Sequence, residues 1–477
     1  MVDQGFLPRV IRPRMQLNIL STRVSAVLFW TFTVAIALAP LPFGAVHQLS
    51  QAFFATLIFS LVFLWSITLT AAGKSAEVTV RHIAPETVCF LLVFCWIGMQ
   101  TLPNVPRLES HPLWLEAQTT LGEATVGSFA LARGAAFECL LRLGMYAAVF
   151  WLALQFGRDK RRAHQLLTTM AFAGTLYALY GLVIHLGGFE HVLWTERAVT
   201  HRDLSATMIN RNNYATLAGL GLLCSVGLYQ ASLLQAFDTG RVGRDRIGYL
   251  LQRAFKQGAP QLACILILLT ALFLTHSRAG VTSGLAGVFS LIYLLGVAHR
   301  QKSWLTRILL LCLPAGLLAV YLLSGEGWQQ RLLETDFEHE SRLIMYRQVW
   351  EAVQTAPWGG YGAGSFAQVF PMFADEVTSY WPKAHNDWLE TLFDLGWPAA
   401  VLWFTAVSGL GLRCLIGVFR RRKDRIYSGV GFCACVLVGL HSLADFSLQI
   451  PAVAMSFALL LGVGVGQSAS SRERLSS

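Results

Sequence analysis

The sequence predicts an all-α polytopic membrane protein with about 12 transmembrane helices and a helical extracytoplasmic cap between spans 9 and 10. Three observations carry that prediction. Of the 477 residues, 55% are hydrophobic and 13% charged, against about 25% charged in an average soluble protein. Apolar runs of about 18–22 residues recur along the chain, the length that crosses a hydrocarbon core as helix. The runs are continuous rather than alternating in strand-length units. Of the two structures that satisfy their backbone in lipid, helices are therefore expected and a barrel is not.

The spans fall at about 24–41, 49–72, 83–102, 135–157, 165–186, 212–235, 260–276, 279–298, 307–324, 397–419, 427–444 and 450–467. Lys and Arg orient them, because cationic residues collect in short cytoplasmic loops. With the N-terminus inside, 25 cationic residues fall in inside segments, including Arg158 to Arg162, Arg241 to Lys256 and Arg420 to Arg425, and ten fall outside. Both termini are then cytoplasmic. The expected organisation is a basic tail (1–23), spans 1–9 (24–324), an extracytoplasmic, periplasmic loop domain (325–396), spans 10–12 (397–467) and a second cytoplasmic tail (468–477). Eleven of the 27 acidic residues lie in the long outer loop. The net charge of +10 thus reads as a topology signal beside anionic lipid, not as a footprint for nucleic acid.

All nine cysteines lie in expected helices, so neither a disulfide nor a zinc site is expected, and they read as small buried apolar residues. Ala37-Leu38-Ala39 mimics a signal-peptidase site, but Pro40 follows it and would hinder cleavage, so the first span is kept as an anchor. The chain shows no internal repeat and no central loop dividing it into equal halves, which weighs against a major-facilitator type of transporter.

Within the outer loop, Leu343, Tyr346, Val349, Trp350 and Val353 repeat at helical spacing, which predicts an amphipathic helix over 341–353. Pro357 and the glycines at 359, 360, 362 and 364 end it. Asp387 to Phe393 starts another helix leading to span 10. Gly360 to Gly364 resembles a nucleotide-binding loop only superficially: it follows a helix and lacks the required spacing.

The candidate chemistry is carried by cations and one histidine. Arg278, at the outer turn between spans 7 and 8, sits against the positive-inside trend. It could snorkel to the interface, but a guanidinium there can also grip phosphate oxygens bidentately, with small Ala279 and Gly280 allowing close approach. Arg342 opens the amphipathic helix; alone it reads as a solvated charge or a partner of Glu338 or Glu340. An imidazole such as that of His385 ordinarily titrates near pH ~6.5 and suits proton abstraction. Asn210-Arg211-Asn212-Asn213 suits sugar hydroxyls or phosphate, although helix capping explains the amides equally well. Glu138 and Arg142, spaced i,i+4 inside span 4, are expected to pair; His441 and Asp445 share that spacing in span 11. No Asp-x-Asp triplet or Gly-x-Ser-x-Gly elbow occurs and no His/Asp/Glu cluster suggests Mg²⁺ or Zn²⁺, so no metal and no cofactor is expected.

Taken in order, Pro40 to Gly44, Asn210 to Tyr214, His276 to Gly280, Ser341-Arg342, Pro357 to Phe366, His385 to Leu389 and His441 to Pro451 make the chain resemble the O-antigen ligase and O-antigen polymerase superfamily of bacterial inner-membrane glycosyltransferases. The resemblance runs from the first span to the last. It implies a metal-independent, inverting enzyme that moves a glycan from an undecaprenyl-diphosphate carrier to an acceptor hydroxyl on the periplasmic face: lipid A core, a protein Ser or Thr, or another glycan unit. Carried over by motif, Arg278, Arg342 and Arg211 would bind the diphosphate and His385 would activate the acceptor, with Asn210, Asn386, Tyr361 and Asp445 in support. The alternative class is a transporter or flippase of a lipid-linked anionic glycan. Charged residues near the bilayer midplane, which a transporter needs, are sparse here.

Overall fold

The structure is a computed structural model describing residues 11–103, 111–123, 127–196, 203–237, 252–298, 328–375, 378, 381–421 and 423–469. It is almost wholly helical: α1 (Ile11–Leu38), α2 (Gln48–Ala71), α3 (Ala84–Thr101), α4 (Leu113–Leu121), α5 (Arg133–Phe156), α6 (Lys160–Leu186), α7 (Arg211–Phe237), α8 (Ala259–Leu274), α9 (Arg278–Ala298), α10 (Trp328–Thr355), α11 (Phe366–Val369), α12 (Asp387–Arg420), α13 (Arg425–His441) and α14 (Pro451–Gly466). Among the described residues the one sheet is a two-residue ribbon, β1 (His191–Val192) against β2 (Thr195–Glu196). Among the described residues, seven helices are long and apolar enough to cross a membrane, and four shorter apolar helices accompany them. Eleven of the twelve expected spans coincide with one of these helices; the ninth, 307–324, lies outside the described residues, as does Cys312. Two boundaries move. The first helix begins at Ile11, and the helix expected over 341–353 begins at Trp328.

The bundle is built around α14. Every one of its residues is buried, as expected of a helix that is apolar on all faces. Small residues set the approach distances: a Cβ on Gly462 would lie 2.5 Å from the Phe150 carbonyl of α5, and one on Gly464 2.9 Å from the Gly431 Cα of α13. The large core runs through α1, α2, α5 to α9 and α12 to α14.

The two ends of the bundle differ in chemistry. One is cationic and tied together by its charges. Arg158 donates to the carbonyls of Gly466 and Ala469, Lys160 pairs with Asp424 at 2.8 Å, and Arg425 reaches the Ala298 carbonyl. The other end gathers the turns after α1, α6, α8 and α13 together with the segment before α12. Leu204 N–H donates to the Leu274 carbonyl (3.0 Å), Thr207 to Pro40 (2.8 Å) and Asp387 N–H to Ser442 (2.9 Å).

A second, smaller core sits at that end, formed by Met345, Val349, Val353, Phe366, Phe370 and Phe393 with their neighbours. It is joined to α12 through the glycine-rich turn. Pro398 lacks an N–H and its ring excludes the carbonyl four residues back, so α12 kinks at Gly396 (φ 72°). The carbonyls this frees are taken by the turn: Tyr361 N–H donates to Phe393 O and Gly362 N–H to Asp394 O, each at 3.0 Å, while Trp397 N–H donates back to Pro357 O at 2.8 Å. A Cβ on Gly360 would lie 2.5 Å from the Asp394 carbonyl, and one on Gly396 2.7 Å from Gly359 N. The glycines therefore serve backbone-to-backbone contact. Gln100, fully buried at the end of α3, holds the same turn through the Gly359 carbonyl (2.8 Å) and the Ala363 N–H (3.2 Å).

Candidate active site

Asn386 caps α12, its side-chain oxygen accepting from Leu389 N–H at 3.0 Å, which satisfies one of the helix's unpaired donors. The residue before the cap, His385, has a φ of 47°, a left-handed conformation that costs about 1 kcal/mol or more for a residue with a Cβ. Its surroundings over-determine it. Tyr346 of α10 donates to the His385 carbonyl at 2.9 Å. The ring meets the Trp381 and Phe446 rings edge-on, at centroid distances of 5.1 and 4.8 Å. His385 Nδ1 lies 3.1 Å from Asp445 Oδ1, where its N–H donates to the carboxylate. Asp445 is fully buried and the His385 side chain is 16% exposed. This pairing fixes the proton on Nδ1, which leaves Nε2 as the basic nitrogen.

The carboxylates behind this loop hold it in place. Asp387 accepts from Ser442 (3.0 Å) and Gln449 (3.1 Å) on the segment that carries Asp445. Buried Glu390 accepts from the Ala384 N–H at 2.9 Å and pairs with Lys383 at 3.3 Å. Burial pushes the Tyr346 hydroxyl above its ordinary range, partly offset by the nearby Arg342 charge.

The Arg342 guanidinium carbon lies 5.7 Å from the centroid of the Trp381 ring. The Arg342 Nε is buried without a hydrogen-bond partner among the described residues. The side chains of Glu338 and Glu340, expected as possible partners, lie outside the described residues. Trp381 thus contacts both Arg342 and His385.

Arg211 and Arg278 begin α7 and α9. Those two N-termini touch: a Cβ on Gly280 would lie 2.4 Å from Ala215 Cβ. Helix α7 also reaches the His385 network, because Asn213 and Thr216 contact Ser447 and His441. Arg211 makes an ion pair with Asp203, and His276 Nδ1 lies 2.6 Å from the other oxygen of the same carboxylate. Burial works to raise the Asp203 carboxyl, but the His276 hydrogen bond and the Arg211 charge prevail and hold it below the ordinary carboxylate range. His276 shares the left-handed conformation of His385, with φ 50°. Arg278 is exposed at the first turn of α9.

Other expected residues take structural places. Asn210 accepts from Asn212 N–H at 2.8 Å and so caps α7. Tyr361 is buried in the smaller core, its hydroxyl on Thr355 and on the Ala352 carbonyl (3.0 Å). The expected Glu138–Arg142 pair is not formed. Glu138 accepts from Gln48 at 2.9 Å, and Arg142 lines an apolar cavity of about 240 Å³ between α3, α5, α12 and α13 that also reaches Asp387 and Trp388. His441 and Asp445 do not share a helical face, because α13 ends at His441; each finds a partner elsewhere. Sequence reasoning missed Asp203, Trp381 and Glu390. Asp203 sits in no motif, but Trp381 and Glu390 flank the His385 motif closely enough to have been considered with it. Among the described residues, no set of three or more His, Cys, Asp and Glu side chains converges as a metal site.

Residues 263–404 match the O-antigen ligase family. The match takes in Arg278, Arg342, the glycine-rich turn and His385, and ends before Asp445. The chain is also 25% identical over 353 residues to the general O-oligosaccharyltransferase of Acinetobacter baylyi, an alignment covering 69% of this chain and 56% of that protein. The chain therefore spans a little over half the length of the curated relative it matches. Both matches, like the ordered motifs from the first span to the last, make the chain similar to the O-antigen ligase superfamily.

Proposed function

We propose that the protein transfers a glycan from a lipid-diphosphate carrier of the undecaprenyl type to an acceptor hydroxyl, on the periplasmic face of the bacterial inner membrane. The observation that carries this reading is the His385–Asp445 pair: a largely buried imidazole with Nδ1 committed to a buried carboxylate, beside a tryptophan that also contacts Arg342. His385 Nε2 removes the proton of the acceptor hydroxyl as its oxygen attacks the anomeric carbon. The bond from that carbon to the diphosphate oxygen breaks on the opposite face, so the configuration inverts. The electron pair leaves with the lipid diphosphate, and Arg278, Arg342 and Arg211 stabilise that charge. Fixed guanidiniums in a partly dehydrated site are worth far more than in water, which is why no metal is required by this mechanism.

Orientation follows the charge asymmetry of the two ends. The cationic end, with Arg158, Lys160 and Arg425, faces the cytoplasm with both chain termini, and the His385 end faces outward. Residues 325–396 form the cap. The apolar cavity beside Asp387 gives the first part of a lipid carrier room next to the reacting centre. The acceptor is a glycan, a lipid A core or a protein hydroxyl.

The test is direct. Purified protein is incubated with a lipid-linked oligosaccharide alone and then with each acceptor, and products are resolved by mass. A ladder of longer lipid-linked products identifies a polymerase; transfer only after an acceptor is added identifies a ligase. No product under any of these conditions, from protein that is folded and bilayer-reconstituted, overturns the proposal.

A further inference from the structure

Behind Asp445 lies a buried polar cluster that the mechanism above does not use. Ser447 Oγ has one proton and four neighbours: Thr216 Oγ1 at 2.9 Å, His441 Nδ1 at 3.1 Å, Asn213 Oδ1 at 3.1 Å and Asp445 Oδ2 at 3.4 Å. Thr216 Oγ1 also lies 3.0 Å from His441 Nδ1. Asn213, Thr216, His441, Asp445 and Ser447 are all at most 3% exposed, so water does not settle which proton goes where.

The donor inventory settles it instead. Among the described residues His441 Nε2 is buried without a hydrogen-bond partner. A buried N–H left without an acceptor is rarer in folded proteins than an under-used acceptor, so the ring's proton belongs on Nδ1. His441 then donates to the two hydroxyls. With Nδ1 satisfied in this way, Ser447 is free to turn its single proton to its far side, toward Asn213 and the charged Asp445 oxygen, the stronger acceptor. The opposite tautomer would make Nδ1 an acceptor competing for the Ser447 or the Thr216 proton.

We infer that His441, acting through Ser447, is a positioning residue for Asp445, and thereby for the His385 ring that Asp445 holds. The inference rests on His385 being the base of the proposed transfer. It predicts a chain of dependence, in which a histidine that never meets substrate sets the tautomer of the one that does.

The test uses the full-length chain in nanodiscs with ¹⁵N-labelled histidine, the His385 signal being identified by its loss in His385→Gln. In the unsubstituted protein His385 is expected as the Nδ1–H tautomer. His441→Leu is expected to shift His385 toward a mixture of tautomers and to lower kcat about tenfold, a part of what a general base contributes, with donor KM little changed. His441→Asn, whose amide N–H can take the place of Nδ1–H, is expected to restore both. A His385 spectrum unchanged in His441→Leu overturns the inference. Should His441→Leu not fold, Ser447→Ala carries the same test: it leaves the His441 ring in place, and an unchanged His385 tautomer again overturns the inference. The tautomer readout does not depend on catalysis. A shifted tautomer in a protein that transfers no glycan would sink the proposed function and leave the positioning network standing.

Discussion

Two imidazoles in this structure share an unusual description. His276 and His385 both sit in the left-handed region, at φ 50° and 47°, and both point Nδ1 at an aspartate. Their surroundings make them different groups. Asp445 is fully buried and serves His385 with one oxygen, while Asp203 is 18% exposed and is shared between His276 and Arg211. A carboxylate already neutralised by a guanidinium does little to make its histidine more basic. A sequestered one, held by a hydroxyl and the imidazole alone, orients the ring and stabilises the imidazolium formed on proton transfer. On the proposed function, the same pairing builds a base in one place and a charge clamp in the other.

The largest expected effect tests that distinction head-on. His385→Ala should lower the transfer rate by about 10²–10⁴-fold, the range of a general base, with membrane abundance unchanged, whereas His276→Ala should cost less than about tenfold. Initial rates with a lipid-linked donor decide it, and a reversed ranking would exchange the roles of the two histidines. Next comes Asp445→Asn, which keeps the shape but removes the charge and invites the wrong tautomer. A loss of about 10²-fold in kcat is expected, against a much smaller loss for Asp203→Asn.

Arg278→Ala and Arg342→Ala should each weaken donor use by about 1–3 kcal/mol, the value of a charge-assisted contact, read as a fall in kcat/KM. Lysine should rescue only partly, because it lacks the planar fork and, at 342, the stack on Trp381. The smallest effect concerns pH. Asp203 is held below its ordinary value of 3.8, so its clamp stabilises the fold above that value and is lost as pH falls through the depressed folded value. Thermal unfolding in detergent should show this acid loss in the unsubstituted protein and lack it in Asp203→Asn.

Much of the bundle could be seen in the chain because lipid leaves so few options. Continuous apolar runs of the right length become helices, and apart from the early start of α1 at Ile11 their ends differ from expectation by a few residues where the cue is hydropathy. Where the cue is something else, boundaries are lost. Helix α10 starts thirteen residues early because Trp328–Glu340 carries strong helix formers without an apolar stripe. The site was legible as a set of residue types at one end, but not as pairs. Asp445 lies 60 residues from His385 and Asp203 lies 73 from His276, and no local spacing announces either contact. Tyr361 and Asn210 illustrate the converse: polar residues inside suggestive motifs whose hydrogen bonds go to a core and a helix cap.

The kink in α12 has a mechanical consequence. Residues 387–395 form a short rod, clamped at Gly396 by the glycine-rich turn and tied at its other end to Ser442 and Gln449 through Asp387, with His385 just beyond. At 1.5 Å per residue the rod is about 14 Å long, so a rotation of about 5° at the clamp sweeps the imidazole through roughly 1 Å, enough to cost on the order of 10²-fold in rate. On the proposed function, the placement of His385 is thus set in part by backbone contacts at the far end of the rod. A methyl group added at Gly360 would act as a shim under the lever, detuning the enzyme without touching a single side chain of the site.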